Sequence, residues 1–245
     1  MTRFNVLLSA ALFTVAGCGA GVDEGASTAT SEVRCDAEHA RNNPQVAPPQ
    51  SRPHGRSYGE WEVAWWRWAL GVAAERNPVT DETGANCAQG QSGDVWFLAG
   101  NYGGVTRREC TVPVGKALYF PMVNQVWVQM LTDPPSTVPE MYSYVRGAVA
   151  GATLSASIDG RALVDLTQYY EETAVFAAYF NPSNTWGATE AQCASRGRFL
   201  VCPESVDAGY ALFIAPLSRG DHQIRFAATL NTGFSLDVTY TLHVR

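Results

Sequence analysis

The feature that most constrains the fold is a strict alternation of apolar and polar residues over positions 234 to 244. A period of two is typical of a strand that buries one face and leaves the other in water. Asp159-Gly160 is typical of the tight turn of a β-hairpin. Further strands are predicted by weaker alternation or by continuous apolar runs, at 153–158, 223–228, 95–99 and 117–123. We therefore expect a mainly β fold, an antiparallel β-sandwich.

Two α-helices are expected to pack on this sandwich. Ser57-Tyr-Gly-Glu60 is a capping box, and the helix that it opens is predicted to continue to about Glu75. Thr137 can cap a second helix, with a proline near the first turn, and that helix is predicted to end around Gly151. The first helix is apolar around most of its circumference, which is typical of a helix buried between other elements.

The first helix carries four of the seven tryptophans of the chain. The simpler interpretation places all four in the core, with the helix held against a sheet. The alternative is an exposed platform made by Trp66 and its neighbour Trp65, because sugars and peptides stack well on flat aromatic faces. Trp65 and Trp66 are therefore the candidate ligand-binding residues.

The N-terminal residues predict export. Arg3 precedes an apolar run over residues 4 to 16, which is too short for a permanent membrane span and has the layout of a secretory signal. The run ends in Val-Ala-Gly-Cys18, which resembles the lipobox of bacterial lipoproteins. The resemblance implies that residues 1 to 17 are removed as a signal peptide. It also implies that Cys18 receives a diacylglyceryl group and a fatty acyl chain such as palmitate, which together anchor the protein in a membrane.

Composition divides the rest of the chain. Residues 18 to 56 are rich in small and polar residues and prolines and lack apolar periodicity, so we expect a flexible tether. Residues 57 to 245 are expected to form a single domain. The formal net charge of -6 and the lack of a Lys/Arg run argue against nucleic acid as a partner. The expected location is the bacterial cell envelope, with the domain facing the periplasm or the exterior.

Five cysteines remain beside the one in the lipobox: Cys35, Cys87, Cys110, Cys193 and Cys202. In an exported chain, disulfides are the default expectation. The last four allow three pairings, and we favour Cys87 with Cys110 and Cys193 with Cys202, because each pair brackets a polar or glycine-rich loop. Cys35 lies in the tether, either free or paired between chains.

Long motifs also mark the predicted domain. They are Tyr58-Gly-Glu-Trp61, Trp65-Trp66-x-Trp68, Asn77-Pro, Asp81-Glu-Thr-Gly, Gln91-Ser-Gly, Val95-Trp-Phe-Leu-Ala-Gly100, Arg108-x-Cys-Thr-Val-Pro-x-Gly-Lys-Ala-Leu-Tyr-Phe-Pro121, Asp159-Gly160, Gly209-Tyr210 and Pro216-Leu-Ser-x-Gly-x-His222. On these motifs, residues 57 to 245 resemble an uncharacterised family of exported bacterial proteins. The resemblance implies export and a shared fold, and it carries over no catalytic residue.

No catalytic or metal-binding motif is found. The sequence has no GxSxG, HExxH or P-loop pattern. Two of the four histidines fall in the tether, which leaves His222 and His243 for the domain. These are either ligands of a metal with Asp221 or Asp237, or hydrogen-bonded surface side chains. We favour surface side chains and expect no metal and no cofactor.

Paired carboxylates would be needed for glycoside hydrolysis. Glu60 and Glu62 are predicted on different faces of the first helix. Asp81-Glu82 and Glu171-Glu172 are predicted in loops, where acidic side chains are usually solvated. No catalytic residue can be named from these patterns.

Three functions remain open. The leading hypothesis is a membrane-anchored binding module for a glycan or another cell-envelope component. The first alternative is a carboxylate-dependent hydrolase of polysaccharide or envelope material, which needs two acidic residues lining a cleft. The second is a structural envelope lipoprotein without a small ligand.

Overall fold

The computed structural model describes residues 42 to 245. The predicted signal peptide, Cys18 and Cys35 lie outside the described residues, so their roles stay predictions. The chain is mainly β, with 39% strand and 18% helix. The helices are α1 (Tyr58–Gly71) and α2 (Val138–Val149), with 3₁₀ turns at Pro53–Gly55, Ala74–Arg76 and Leu166–Tyr169. The strands are β1 (Val95–Phe97), β2 (Gly104–Val112), β3 (Ala117–Val128), β4 (Thr153–Ile158), β5 (Arg161–Ala162), β6 (Tyr170–Glu172), β7 (Phe176–Phe180), β8 (Ala194–Arg196), β9 (Phe199–Ile214), β10 (Gly220–Thr229) and β11 (Ser235–Val244).

The strands form two sheets. Sheet A has the order β1-β3-β9-β6, and β7 and β8 also pair with β9. Sheet B has the order β2-β11-β10-β4-β5. The predicted sandwich is confirmed, but each sheet contains one parallel pair, β1 with β3 and β2 with β11. The parallel pair in sheet A arises because the chain leaves that sheet after β1, adds β2 to sheet B, and then returns as β3.

The core lies on both faces of sheet A. Phe120 of β3 stacks on Phe226 of β10 at a centroid distance of 4.6 Å, so one face of sheet A packs on sheet B. The preceding residue, Tyr119, points to the other face, where Trp61 of α1 lies 6.5 Å from its ring. Helix α2 buries Met141 and two valines against β9. The two predicted helices therefore both pack on the sandwich.

Local sequence signals explain where the helices begin and end. Ser57 Oγ accepts from the Glu60 backbone N–H at 3.2 Å, and the Glu60 carboxylate accepts from the Ser57 N–H at 2.7 Å, so the predicted capping box is formed. Thr137 caps α2 in the same way. Helix α1 ends at Gly71, earlier than predicted, because the chain becomes extended at Val72 and the Asn77 side chain donates to helix carbonyls from beyond that end.

The strongest turn and strand predictions are confirmed. Asp159 and Gly160 both have positive φ, 51° and 78°, as a two-residue hairpin turn between β4 and β5 requires. Along β11 the apolar residues are buried and the polar residues between them are partly exposed. The alternation therefore places one face of β11 in the core of the sandwich.

The folded part begins earlier than residue 57. Val46 is buried and forms an antiparallel bridge with Ile214, beside β9. Asn43 is fully buried, and its Nδ2 donates to the carbonyl of Val164 and to the hydroxyl of Tyr169. Prolines and small residues suggested a tether here, but one apolar and one amide side chain fix the segment to the domain. Residues 43 to 56 therefore do not belong to a free tether.

Both favoured disulfides are confirmed. Cys87 is bonded to Cys110 and Cys193 to Cys202, across 23 and 9 positions of sequence. Structural disulfides persist in oxidising compartments, so the domain belongs to an extracytoplasmic environment. Among the described residues, no helix has both the length and the apolar composition needed to span a bilayer.

Candidate functional site

A cavity of about 460 Å³ lies between α1, β3 and α2 and is bordered by residues near positions 100–102, 186 and 230–236. This volume lies in the range of small-molecule sites. Six aromatic residues line it: Trp65, Trp66, Tyr102, Tyr144, Trp186 and Phe234. Three amide side chains also line it: Asn101, Asn124 and Gln125. None of its described lining residues carries a charge, so the cavity suits a neutral ligand with apolar faces and hydrogen-bonding groups.

The inner wall of the cavity contains the two candidate ligand-binding residues. Trp65 is 3% exposed and Trp66 is 8% exposed, so they do not form an exposed platform. Their rings meet edge to face at 5.0 Å. Both indole N–H groups donate hydrogen bonds. That of Trp65 donates to the carbonyl of Leu98 at 2.9 Å, and that of Trp66 donates to a carboxylate oxygen of Asp207 at 3.0 Å. The structure confirms the simpler interpretation, in which α1 is buried against a sheet.

The rim of the cavity is more exposed. Tyr102 is 58% exposed and Tyr144 is 53% exposed. The Trp186 indole donates to the Tyr102 hydroxyl at 2.9 Å, and the Tyr144 ring packs edge to face on Trp127 at 4.9 Å. These contacts restrict the motion of the rings before a ligand binds. A ligand that packs on the rim therefore orders these side chains at a low entropic cost.

A cluster of three carboxylates, Glu62, Glu171 and Asp207, lies behind the inner wall. One ligand atom from each lies within 4.8 Å of the others, and among the described residues this is the only group of acidic, histidine or cysteine side chains close enough to hold a metal ion. Glu62 and Asp207 are fully buried and Glu171 is 7% exposed. Trp66 and Asn124 line the cavity and also donate to this cluster, so their side chains separate it from the cavity.

Four elements bring the cluster together. Glu62 projects from α1, Asp207 from β9 and Glu171 from β6, where Glu171 pairs directly with Gly209. Gly59 allows α1 to approach β6, because a Cβ on Gly59 would lie 2.4 Å from the backbone oxygen of the residue after Glu171. The fourth element is β3, which supplies hydrogen-bond donors.

A β-bulge in β3 places both of these donors on one face. The register against β9 shifts between Pro121 and Val123, so one extra residue is inserted in β3. Without it, the odd-numbered Tyr119 and the even-numbered Asn124 would face opposite sides of the sheet. With it, the Tyr119 hydroxyl donates to Glu62 Oε2 at 2.7 Å and Asn124 Nδ2 donates to Glu62 Oε1 at 2.6 Å.

The hydrogen bonding of the cluster is uneven. Glu62 has a donor on each oxygen, and Asp207 Oδ2 accepts from the Trp66 indole. Neither oxygen of Glu171 has a donor, and Asp207 Oδ1 has none. A hydrogen bond between Glu171 and Asp207 requires that one of them carries a proton, because two ionised carboxylates have no donor.

These surroundings disfavour ionisation. Burial raises the pKa of Glu62 to about 7, against the opposing effect of its hydrogen bonds from Tyr119 and Asn124. Burial, and then the charges of Glu62 and Asp207, raise the pKa of Glu171 well above its usual range. Burial and the charge of Glu62 do the same to Asp207. The cluster at neutral pH therefore needs protons or a bound cation to balance its charge.

Sequence reasoning missed this cluster. Glu171 was predicted in a solvated loop, but it lies in β6 with its carboxylate buried. The short strand has no alternation of its own, because only its pairing with β9 makes it a strand. Two signals were present in the sequence: Glu62 lies on a helix that is apolar around most of its circumference, and Asp207 lies between Val206 and Ala208. Neither reveals that the two side chains meet.

The remaining sequence candidates lie on the surface of sheet B. His243 lies between Asp221 and Glu109, with nitrogen–oxygen distances of 2.8 and 2.9 Å. His222 contacts Asp159 at 2.8 Å. The Asp237 carboxylate pairs with an arginine side chain rather than with a histidine. Both histidines are thus hydrogen-bonded side chains on exposed faces.

No model of a protein family, no curated protein sequence and no solved structure matches this chain.

Proposed function

We propose that this protein is a lipid-anchored binding module of the bacterial cell envelope that takes a neutral glycan, or another neutral envelope component, into the cavity beside α1. The observation that carries the proposal is the uncharged lining of aromatic rings and amide side chains around 460 Å³. Sugar rings offer apolar faces to aromatic side chains and hydroxyls to amides, and a few convergent polar groups in an apolar pocket are typical of a ligand site.

In this proposal Trp65 and Trp66 form the floor of the site. Because they are buried and hydrogen-bonded, they are fixed before a ligand arrives, which lowers the cost of binding. Tyr102 and Tyr144 would contact the part of the ligand that extends toward solvent. The anchor on Cys18 would hold the module at the membrane, and two or more acyl chains make such attachment stable.

The hydrolase alternative has less support from the geometry. A carboxylate-dependent glycosidase needs two carboxyl groups flanking a cleft, about 5–10 Å apart. The buried cluster has its carboxylates within 4.8 Å of one another, and no carboxylate is among the described lining residues of the cavity. A substrate in the cavity would have to displace Trp66 and Asn124 to reach the cluster.

Binding can be tested with the whole chain carrying Cys18→Ser, which keeps the domain and removes the anchor. The protein is incubated with insoluble polysaccharides and purified cell-wall material, and its depletion from solution is measured together with the release of soluble fragments. We expect depletion without release. Release would support the hydrolase, and neither effect would support a structural lipoprotein.

Two matched variants locate the site. Ala148 of α2 lines the cavity, so Ala148→Trp should fill it and abolish depletion. Ser143 is exposed on the same helix and does not line the cavity, so Ser143→Trp should bind like the parent. Equal binding by both variants would move the site elsewhere. For the anchor, the unmodified chain should fractionate with membranes and the Cys18→Ser chain should not.

A further inference from the structure

The carboxylate cluster has no counter-charge of its own. Glu62, Glu171 and Asp207 take part in none of the ion pairs within residues 42 to 245. Their donors are a tyrosine hydroxyl, an amide and an indole, all of them neutral. Three buried carboxylates with neutral neighbours are costly to ionise, so protons or a bound cation must balance their charge.

Free oxygen atoms point to where that charge would bind. Both oxygens of Glu171 and Asp207 Oδ1 are buried, and no group outside the cluster donates a hydrogen bond to them. These atoms belong to side chains from different strands that converge within 4.8 Å. Ser205 Oγ is buried and unpartnered as well, two residues before Asp207 on the same face of β9. Buried polar atoms without partners are rare in folded proteins, and each of these faces or flanks the cluster.

The ligand atoms that the cluster offers favour one kind of cation. All of the available ligands are oxygens, and there is no histidine or thiolate in the cluster, which favours a hard ion over zinc or copper. Ca²⁺ binds oxygens at about 2.3–2.6 Å, so two ligands on opposite sides of it are about 4.6–5.2 Å apart. The three carboxylates lie within 4.8 Å of one another, inside that span. Mg²⁺ gives up water reluctantly and usually keeps several water ligands, which a buried site does not supply.

We propose that Glu62, Glu171 and Asp207 form a binding site for a divalent cation, Ca²⁺ before Mg²⁺. Glu171 contributes two free oxygens and Asp207 one, while Glu62 is held in place by Tyr119 and Asn124. No sequence motif marks this site, because its ligands come from elements that are distant in the chain. The site is distinct from the cavity and shares only the wall made by Trp66 and Asn124.

The test uses the whole Cys18→Ser chain with its disulfides intact. The site is shut off from solvent, so the protein is unfolded and refolded in metal-free buffer, with and without Ca²⁺, which removes slow entry as an explanation of a negative result. At a calcium concentration about a hundredfold above Kd we expect the thermal midpoint to rise by about 5–10 °C. In parallel, bound Tb³⁺ should luminesce on excitation of tryptophan, because the Trp66 indole touches the cluster.

Isosteric variants separate this site from others. Glu171→Gln and Asp207→Asn should each lose most of the calcium-induced rise and at least tenfold of the terbium affinity. Without calcium, Glu171→Gln should melt no lower than the parent, because burial and the neighbouring carboxylates already disfavour ionisation of Glu171. This distinguishes lost binding from lost folding. Glu82 is exposed outside the cluster, so Glu82→Gln should respond like the parent.

Two results would overturn the proposal. One is a parent protein that shows neither a calcium-induced rise nor terbium luminescence after refolding. The other is a Glu171→Gln protein that keeps both responses, since the ion would then bind elsewhere. Because no glycan enters this experiment, its failure and the failure of the proposed ligand cavity are independent.

Discussion

Replacing Gly59 by alanine tests how closely α1 must approach β6. A Cβ on Gly59 would lie 2.4 Å from the backbone oxygen of Glu172 and 3.4 Å from Glu171 Oε2. Ordinary contact between a carbon and an oxygen needs about 1 Å more than the shorter of these distances. The obstacle is backbone, so no side-chain rotation relieves it. Helix α1 therefore has to move away from the strand that carries Glu171.

The size of the effect follows from two opposing contributions. Overpacking of this kind typically costs about 1–3 kcal/mol. Alanine is favoured over glycine by at most about 1 kcal/mol inside a helix, and less at the second position of the first turn. We therefore expect Gly59→Ala to lower the free energy of unfolding by about 1–2 kcal/mol. For a domain of this size that corresponds to a fall in Tm of about 2–8 °C.

A matched control is available in the second helix. Gly147 lies in α2, and a Cβ built on it meets no atom within 4 Å. Gly147→Ala should therefore stabilise the protein by about 0.5–1 kcal/mol, through helix propensity alone. Both variants can be compared with the parent by calorimetry and by urea unfolding. If Gly59→Ala were as stable as Gly147→Ala, the close approach of α1 to β6 would be refuted.

Three further changes test other parts of the structure. Arg108 is buried and donates five hydrogen bonds to neutral oxygens, so Arg108→Met should cost about 3 kcal/mol or more in urea unfolding, and an unchanged midpoint would contradict this role. Gly209→Ala would put a Cβ 2.6 Å from a carbonyl oxygen of β3 and should cost about 2–3 kcal/mol. Hydrogen bonds to Asp221 and then Glu109 raise the pKa of His243 above its usual 6.5, so its stabilising contribution is full below that pH and is lost as the pH rises through the raised value. His243→Gln should thus melt below the parent near about pH 5.5 and with it near about pH 9, and a constant difference would contradict the assignment.

The parts of the fold that the sequence predicted are those with local causes. The capping boxes opened by Ser57 and Thr137 involve residues three positions apart, and the Asp159-Gly160 turn joins two adjacent strands. The favoured disulfides also close short stretches of chain. The alternation along β11 predicts a strand without any knowledge of its partners, because it reflects only that one face of the strand is buried. In each case the interacting residues are close in sequence, so a short window contains the whole signal.

The candidate site could not be predicted in this way. Its three carboxylates are contributed by α1, β6 and β9, which are more than a hundred residues apart at the extremes. The bulge that turns Asn124 toward Glu62 is visible only in the register of β3 against β9. Glu171 is buried because β6 pairs with β9, not because of its neighbours in sequence. Sequence patterns therefore predicted the fold class. They did not predict the site, because the site depends on how distant strands pair.

The position of β11 in sheet B bears on when the domain can fold during synthesis. β11 pairs with β2 on one side and β10 on the other, so it joins the edge strand β2 to the rest of the sheet. The β2–β11 pair joins residues about 130 positions apart, and such distant pairings form slowly. A nascent chain without residues 235 to 244 cannot complete sheet B. Until those residues have been synthesised, the domain therefore cannot reach its final form.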